Sequence, residues 1–271
     1  MEPYRFFPGE RAVLVSMPHV GLEVPEEIRS RFTEEAHLLP DTDWHLDRLY
    51  DWAHDLGIGV LAATHSRYVI DLNRPPTDTP LYAGPTTGLC PTMCFDGTPL
   101  YHPGQEPDED ERRRRLERYW TPYHERLSHE LRALKQQHGH VVLFDAHSIR
   151  SRVPRLFSGL LPDFNIGTND GASSTPELTS RVAAVCEAAP SFTTVVNGRF
   201  KGGYITRHYG RPEADVHAIQ LELSQRTYLD EAPPFAYRDD RARRVRPVLR
   251  QVLEALLEWS VEESGGSTSA V

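Results

Sequence analysis

The sequence predicts an α/β domain with a mixed, largely parallel central sheet flanked by helices. Three observations predict it. Short runs rich in Val and Ile recur along the chain, amphipathic helical stretches separate several of them, and three runs end in polar residues able to bind a metal. Strands are expected at residues 12–17, 59–63, 68–72, 141–144, 193–196 and 218–223. A first helix is expected at 43–56, where Leu46, Leu49, Tyr50 and Ala53 form one stripe and Gly57 supplies a stop. A second, at 109–138, carries Leu116, Tyr119, Tyr123, Leu127, Leu131 and Leu134 on its inner side, with Pro122 expected to kink or break it. The third spans 176–188 with Thr175 as its cap, and the last spans 239–262 with Pro247 interrupting it.

Residues 1–263 read as a single catalytic domain, and 264–271 as a small, polar, disordered tail. Within the domain, residues 75–107 are rich in proline and show little periodicity. A stretch of that length without regular structure reads as an insertion covering a site.

Bulk composition narrows the function classes. The 271 residues, 39% hydrophobic and 25% charged, suit a packed globular core, and a formal net charge of −9 argues against a nucleic-acid partner. The local exception, Arg112 to Arg115, follows four acidic residues and reads as a solvated helix face with an i,i+4 pair between Glu111 and Arg115. Three cysteines, Cys90, Cys94 and Cys186, form no disulfide framework and are expected to be structural thiols. No run is long enough to span a bilayer and no leader pattern opens the chain, so a cytoplasmic location without a membrane partner is expected. The composition leaves homo-oligomerisation open.

The chemistry gathers where apolar runs end. One run leads into Pro18-His19, a second into Asp145-Ala146-His147-Ser148, and a third places Glu222 inside an otherwise apolar strand. Each alone has an ordinary structural explanation; their convergence at strand ends points to a site. Zinc accepts imidazole and carboxylate, and a catalytic zinc keeps three protein ligands beside an open position. His19 and His147 are candidate ligands, and Glu222 the candidate base for the attacking water. Asp43 is the preferred third ligand, with Asp41, His45 and Asp47 as alternatives and helix capping as a competing role for Asp43. Asp145 and His147, two apart on an extended chain, share a face and can pair. Arg74, leaving a run directly into the proline-rich cover, can hold a substrate carboxylate in bidentate fashion, with Asn73 adding an amide contact. Its structural alternative is an ion pair with Asp71, and Arg67 is a second candidate for the same task. In the glycine-rich stretch 197–210, Lys201, Arg207 and His208 could line an anionic pocket.

Read together, DTDWHLDRLYD, SRYVIDLNRPPTDTPLYAG, GLCPT, LFDAHSIRSRVPRLF, NGRFKGGYITRHYGRP and QLELSQRTYLDE resemble the N-formylglutamate amidohydrolase (deformylase) family of histidine degradation. That family is distantly similar to the zinc carboxypeptidases. The D-x-H-S of Asp145–Ser148 looks like the segment bearing their second histidine ligand. The D-L-N-R of Asp71–Arg74 looks like the segment whose Asn and Arg bind a substrate carboxylate, and Glu222 stands where the catalytic glutamate stands. The departure is at the first ligand pair: carboxypeptidases use H-x-x-E, whereas Glu23 lies one place too far from His19. The acidic ligand is therefore left among Asp43, Glu23, Asp41 and Asp47.

The resemblance implies one divalent ion, Zn2+, held by His19, Asp43 and His147, with Asp145 orienting a ligand histidine. It implies that Glu222 shuttles the proton as N-formyl-L-glutamate is cleaved to formate and L-glutamate. Arg74, Asn73 and Arg67 would hold one carboxylate of this dianionic small molecule, and Lys201 or Arg207 the other. Two alternatives stay open: a hydrolase of another N-acyl amino acid, and a catalytically silent binding protein on the same fold.

Overall fold

The computed structural model describes residues 2–81 and 84–266. Seven strands form one sheet: β1 (Tyr4–Phe7), β2 (Val13–Met17), β3 (Gly59–Ala63), β4 (Val141–Ile149), β5 (Phe164–Gly167), β6 (Thr194–Val196) and β7 (Val216–Ser224). Their spatial order is β1-β3-β2-β4-β7-β5-β6. The pairs β2–β3, β2–β4, β4–β7 and β5–β6 are parallel, while β1–β3 and β5–β7 are antiparallel. The mixed, largely parallel sheet is thus present. The two antiparallel joins come from β1 and β5, which are too short and too interrupted by polar residues to stand out in the sequence.

Helices cover both faces. α1 (Glu26–Arg29), α2 (Glu34–His37), α3 (Leu46–Leu49), α4 (Glu109–Arg115), α5 (Thr121–His138), α6 (Pro176–Glu187), α7 (Tyr204–Tyr209) and α8 (Asp239–Gly266) follow in chain order. The period of two along each strand decides which side chains meet which layer. On one face Val13, Val15 and Met17 of β2, Val142, Phe144 and Ala146 of β4, and Ile219, Leu221 and Leu223 of β7 pack with apolar residues of α6 and α8. On the other, Leu14, Val141, Leu143 and Ala218 pack with Tyr123, Leu127, Leu131 and Leu134 of α5. Here the alternation changes character part-way along. Beyond Leu143 the same face carries Asp145 and His147; beyond Ala218 it carries Gln220 and Glu222. The apolar half seats α5, and the polar half forms the floor of a site at the carboxyl ends of the parallel strands.

Several expected elements differ. Residues 68–72 form consecutive turns instead of a strand: Tyr68 donates its N–H to Ser66 Oγ, Asn73 to Asp71 Oδ1, and Arg74 to the Asp71 carbonyl. The run is apolar because Tyr68, Val69, Ile70 and Leu72 are buried in the second core cluster, and a short buried run looks alike in either state. The helix expected at 43–56 is reduced to α3 and one 3-10 turn, Ala53–Leu56. His45 takes a left-handed conformation at φ 59°, and the Asp43 N–H is bonded to the His19 carbonyl.

Pro122 does not break its helix. Leu116–Trp120 forms a π-helical turn joining α4 to α5, and the widened turn tolerates the N–H that Pro122 lacks. Pro247 lies inside a continuous α8. Arg115, expected on a solvated face, is buried and donates to the Val69 carbonyl, the Tyr101 hydroxyl and Glu111. Thr175 does cap α6, accepting from the Leu178 N–H, and the three cysteines are free and buried. Of the tail expected at 264–271, residues up to Gly266 continue α8 and the others lie outside the described residues.

Candidate active site

Each half of the site follows from a strand end. His19 lies two residues beyond β2, at the start of the loop to α1. His147 lies within β4, in register with Glu222 on β7, and Asp145 is likewise in register with Gln220. Asp43 reaches the same place from the loop before α3. His19, Asp43 and His147 are all buried, and one donor atom from each lies within 4.8 Å of the others. Asp43 Oδ2 is 3.3 Å from His147 Nδ1 and 3.9 Å from His19 Nδ1, and it accepts no hydrogen bond.

The far nitrogens of the two imidazoles are held by carboxylates. His19 Nε2 is 2.8 Å from Asp71 Oδ1, and His147 Nε2 is 3.0 Å from Asp145 Oδ2. Both rings therefore present Nδ1 toward Asp43. A buried, unpartnered carboxylate oxygen facing two such imidazoles fits a divalent cation. Three N/O ligands, two of them imidazoles backed by carboxylates, are a zinc-type donor set.

The other expected acidic ligands are engaged elsewhere. Asp41 accepts from the Tyr68 hydroxyl, the Phe95 N–H and Arg150; Asp47 pairs with Arg5 at the surface; Glu23 is exposed on the loop facing His65. Asp43 also caps no helix, since α3 begins three residues later.

A clamp fixes the Asp43 loop. Gln225 Nε2 donates to the Thr42 carbonyl at 2.9 Å, and the Tyr228 hydroxyl donates to the Trp44 carbonyl at 2.9 Å, so the carbonyls on either side of Asp43 are held. Both clamping groups also reach Ser148 Oγ, at 3.3 and 2.8 Å, next to His147. The turn after β7 thus ties the loop carrying one metal-ligand candidate to the strand carrying another.

Electrostatics follow from burial and these pairs. Burial lowers the His19 pKa, helped by the Arg67 cation. Burial also disfavours a charged His147, but Asp145 overcomes it and holds this imidazole well above its ordinary range. Burial works against ionised Asp71 too, yet Arg67 and His19 hold its carboxyl well below the usual range. Glu222 is raised, first by burial and then by the neighbouring Asp43, against the pull of His147 and Arg67.

Around this centre lies a pocket lined by His19, His147, Glu222, Arg67, Asn73 and Arg74, and closed by Thr86, Thr87 and Phe95 of the proline-rich segment. Arg67 donates to Asp71 at 2.5 Å, and its Nη1 lies 3.3 Å from His19 Nδ1. The Arg74 side chain does not pair with Asp71. It donates to the carbonyls of Thr87 and Asn73 and to the hydroxyls of Thr86 and Thr87, all uncharged oxygens. Trp120 holds the Arg74 carbonyl at 3.0 Å. Asn73 lines the pocket, but its amide is engaged in the scaffold: Nδ2 lies 2.9 Å from His147 Nε2, and Oδ1 accepts the Ile205 N–H at the start of α7. Gly203 packs so closely on Asn73 that an added Cβ would fall 2.3 Å from its amide.

Two expected anchors do not line this pocket. Lys201 is half exposed and pairs with Asp170 at 2.9 Å; Arg207 donates to the Gly202 carbonyl from α7. The basic residue of that stretch that does line the pocket is Arg199, beside Phe200. Sequence reasoning passed over Arg199 and Gln220, and weighed Asp71 as a partner of Arg74, whereas it pairs with His19 and Arg67. Gln220 was legible, being two places before Glu222 on one strand face.

Comparison with known proteins places this geometry. The family model described as N-formylglutamate amidohydrolase matches residues 11–229. The chain belongs to the N-formylglutamate amidohydrolase family. Among curated relatives of the family, the chain is 55% identical to the N-formylglutamate deformylase of Pseudomonas aeruginosa over 96% of its own length and 98% of the relative's. It is 54% identical to that of Pseudomonas putida over 95% and 96%. Among solved structures, an N-formylglutamate amidohydrolase from Ralstonia eutropha JMP134 superposes with a TM-score of 0.84 at 25% identity, covering 97% of this chain and all of that one. A gene product of Agrobacterium tumefaciens shares the fold at TM-score 0.73 and 19% identity, over 97% of both chains.

Proposed function

We propose that this chain is a metal-dependent amidohydrolase that cleaves N-formyl-L-glutamate to formate and L-glutamate, the last step of a histidine degradation pathway. The observation that carries it is the buried His19–Asp43–His147 group with Glu222 in register beside it, on a chain with two deformylase-named relatives at over 50% identity. A divalent ion, Zn2+ by its donor set, would be held by those three residues, where it would acidify a water and polarise the formyl carbonyl.

The protein's own groups then act in order. Glu222, at the pocket floor, accepts the proton of the attacking water and returns it to the departing amine. Arg67, a buried cation beside His19, favours the negative charge that develops on the carbonyl oxygen. Arg74, with its uncharged hydrogen-bond partners, is the anchor for a substrate carboxylate. Asn73 donates through Nδ2 to Asp145 and holds α7 through Oδ1, and Asp71 and Asp145 hold the imidazoles.

The test is to purify the protein, measure its metal content and follow formate and glutamate release from N-formyl-L-glutamate, with N-acetyl-L-glutamate and N-formyl-L-aspartate alongside. Turnover of the formyl-glutamate compound that disappears with chelation and returns with zinc is expected. Faster turnover of either other compound would give the site to another N-acyl amino acid, and a metal-free protein inert on all three would leave a binding role.

A further inference from the structure

We propose that Arg199 reads the side-chain carboxylate of the substrate and so selects an acidic side chain over its neutral isostere. The inference rests on the deformylase reading above and deepens it.

Arg199 follows β6 and lines the pocket with its chain neighbour Phe200. Its Nε donates to the Leu156 carbonyl at 2.7 Å, and its guanidinium carbon lies 5.5 Å from the centre of the Phe200 ring. Leu156, Phe200 and Ile149 line the same pocket and belong to one apolar cluster with Phe95. That part of the pocket therefore offers apolar surface with a planar cation fixed beside it. Such a surface complements a short methylene chain ending in a carboxylate.

Arg74 stands differently. Its guanidinium donates to the main-chain carbonyl of Asn73, the residue whose amide lies 2.9 Å from His147 Nε2, and to the carbonyl and hydroxyl of Thr87. In an N-acyl amino acid the α-carboxylate sits on the carbon bearing the scissile nitrogen, so it must bind close to the reacting carbonyl. The side-chain carboxylate of glutamate lies two methylenes further out. Arg74 suits the first and Arg199 the second.

The test compares N-formyl-L-glutamate with N-formyl-L-glutamine, equal in size and differing in charge, on zinc-loaded protein. Arg199→Gln is expected to lower the glutamate-to-glutamine ratio of kcat/KM about 100-fold, with the loss falling on KM. Arg199→Lys, keeping the charge without the fork, is expected to recover part of the ratio. Arg74→Gln is expected to depress both substrates while keeping the ratio. An unchanged ratio in Arg199→Gln overturns the proposal, as does a ratio that collapses in Arg74→Gln instead. Calorimetric binding of L-glutamate against L-glutamine separates this proposal from the reaction beneath it. Wild-type protein that releases no formate but loses its preference for glutamate in Arg199→Gln would overturn the reaction and uphold Arg199; a preference that survives the substitution would overturn Arg199.

Discussion

Asp43 carries a carboxylate oxygen that is buried, faces two imidazoles and accepts no hydrogen bond. A bound divalent ion would satisfy that oxygen, which otherwise faces only the two imidazoles. Asp43→Asn is therefore expected to weaken zinc binding on the order of 100-fold, measured by competition with a chromophoric chelator. Retained affinity would move the third ligand elsewhere. Glu222→Gln is expected to behave in the opposite way: metal content near one per chain, and kcat lower by about 100-fold or more. Metal loss in that variant would make Glu222 a ligand. At this scale the sequence was uneven. His19, His147 and Glu222 were legible because each interrupts an apolar run. Asp43 stood beside Asp41 and Asp47 with Glu23 as a further alternative, and only the folded chain brings it 3.3 Å from His147. Lys201 and Arg199 are two residues apart with the same charge, and nothing local says which of them turns inward.

The elements divide between those whose periodicity announces them and those made by their surroundings. β2, β3, β4, β7, α5, α6 and α8 were readable from period and caps. The loops at 42–45 and 68–74 stand in place of the start of the helix expected at 43–56 and the whole strand expected at 68–72, because distant side chains, and not local propensity, fix their shape. Those two loops carry Asp43, Asp71, Asn73 and Arg74. The clamp on the first is testable. Tyr228→Phe removes the hydroxyl that joins the Trp44 carbonyl to Ser148, and is expected to weaken zinc binding about 10-fold, with kcat at saturating metal within about threefold of wild type. Equal affinity would reduce the clamp to a folding contact. Thr175→Ala, which uncaps α6, serves as the control: a stability loss of about 1 kcal/mol in urea unfolding, with zinc affinity unmoved.

For the whole molecule, acid sensitivity has sources outside the site. Burial lowers His124 to about 3 and, with His140 nearby, His217 to about 4. Both stand near 6.5 when unfolded, so below that pH the unfolded chain binds more protons than the folded one. Their contribution to stability is thus complete above about pH 6.5 and declines as pH falls toward 3–4. His124→Gln is expected to flatten that decline by up to about 1.4 kcal/mol per pH unit, in urea unfolding at pH 5 and 7.5 with a chelator present to remove metal release from the balance. An unchanged slope would assign the acid limb to other groups. His124 also stacks on Trp120, the last residue of the π-helical turn and the one that holds the Arg74 carbonyl. Arg115, just before that turn, holds the Val69 carbonyl on the same loop. The turn therefore acts as a spacer between two grips on one loop. In-frame loss of a single codon within 116–120 would let an ordinary helix form, rotating one grip against the other by about 100° and drawing it about 1.5 Å along the axis. Such an allele would yield a folded protein that had lost its hold on Arg74.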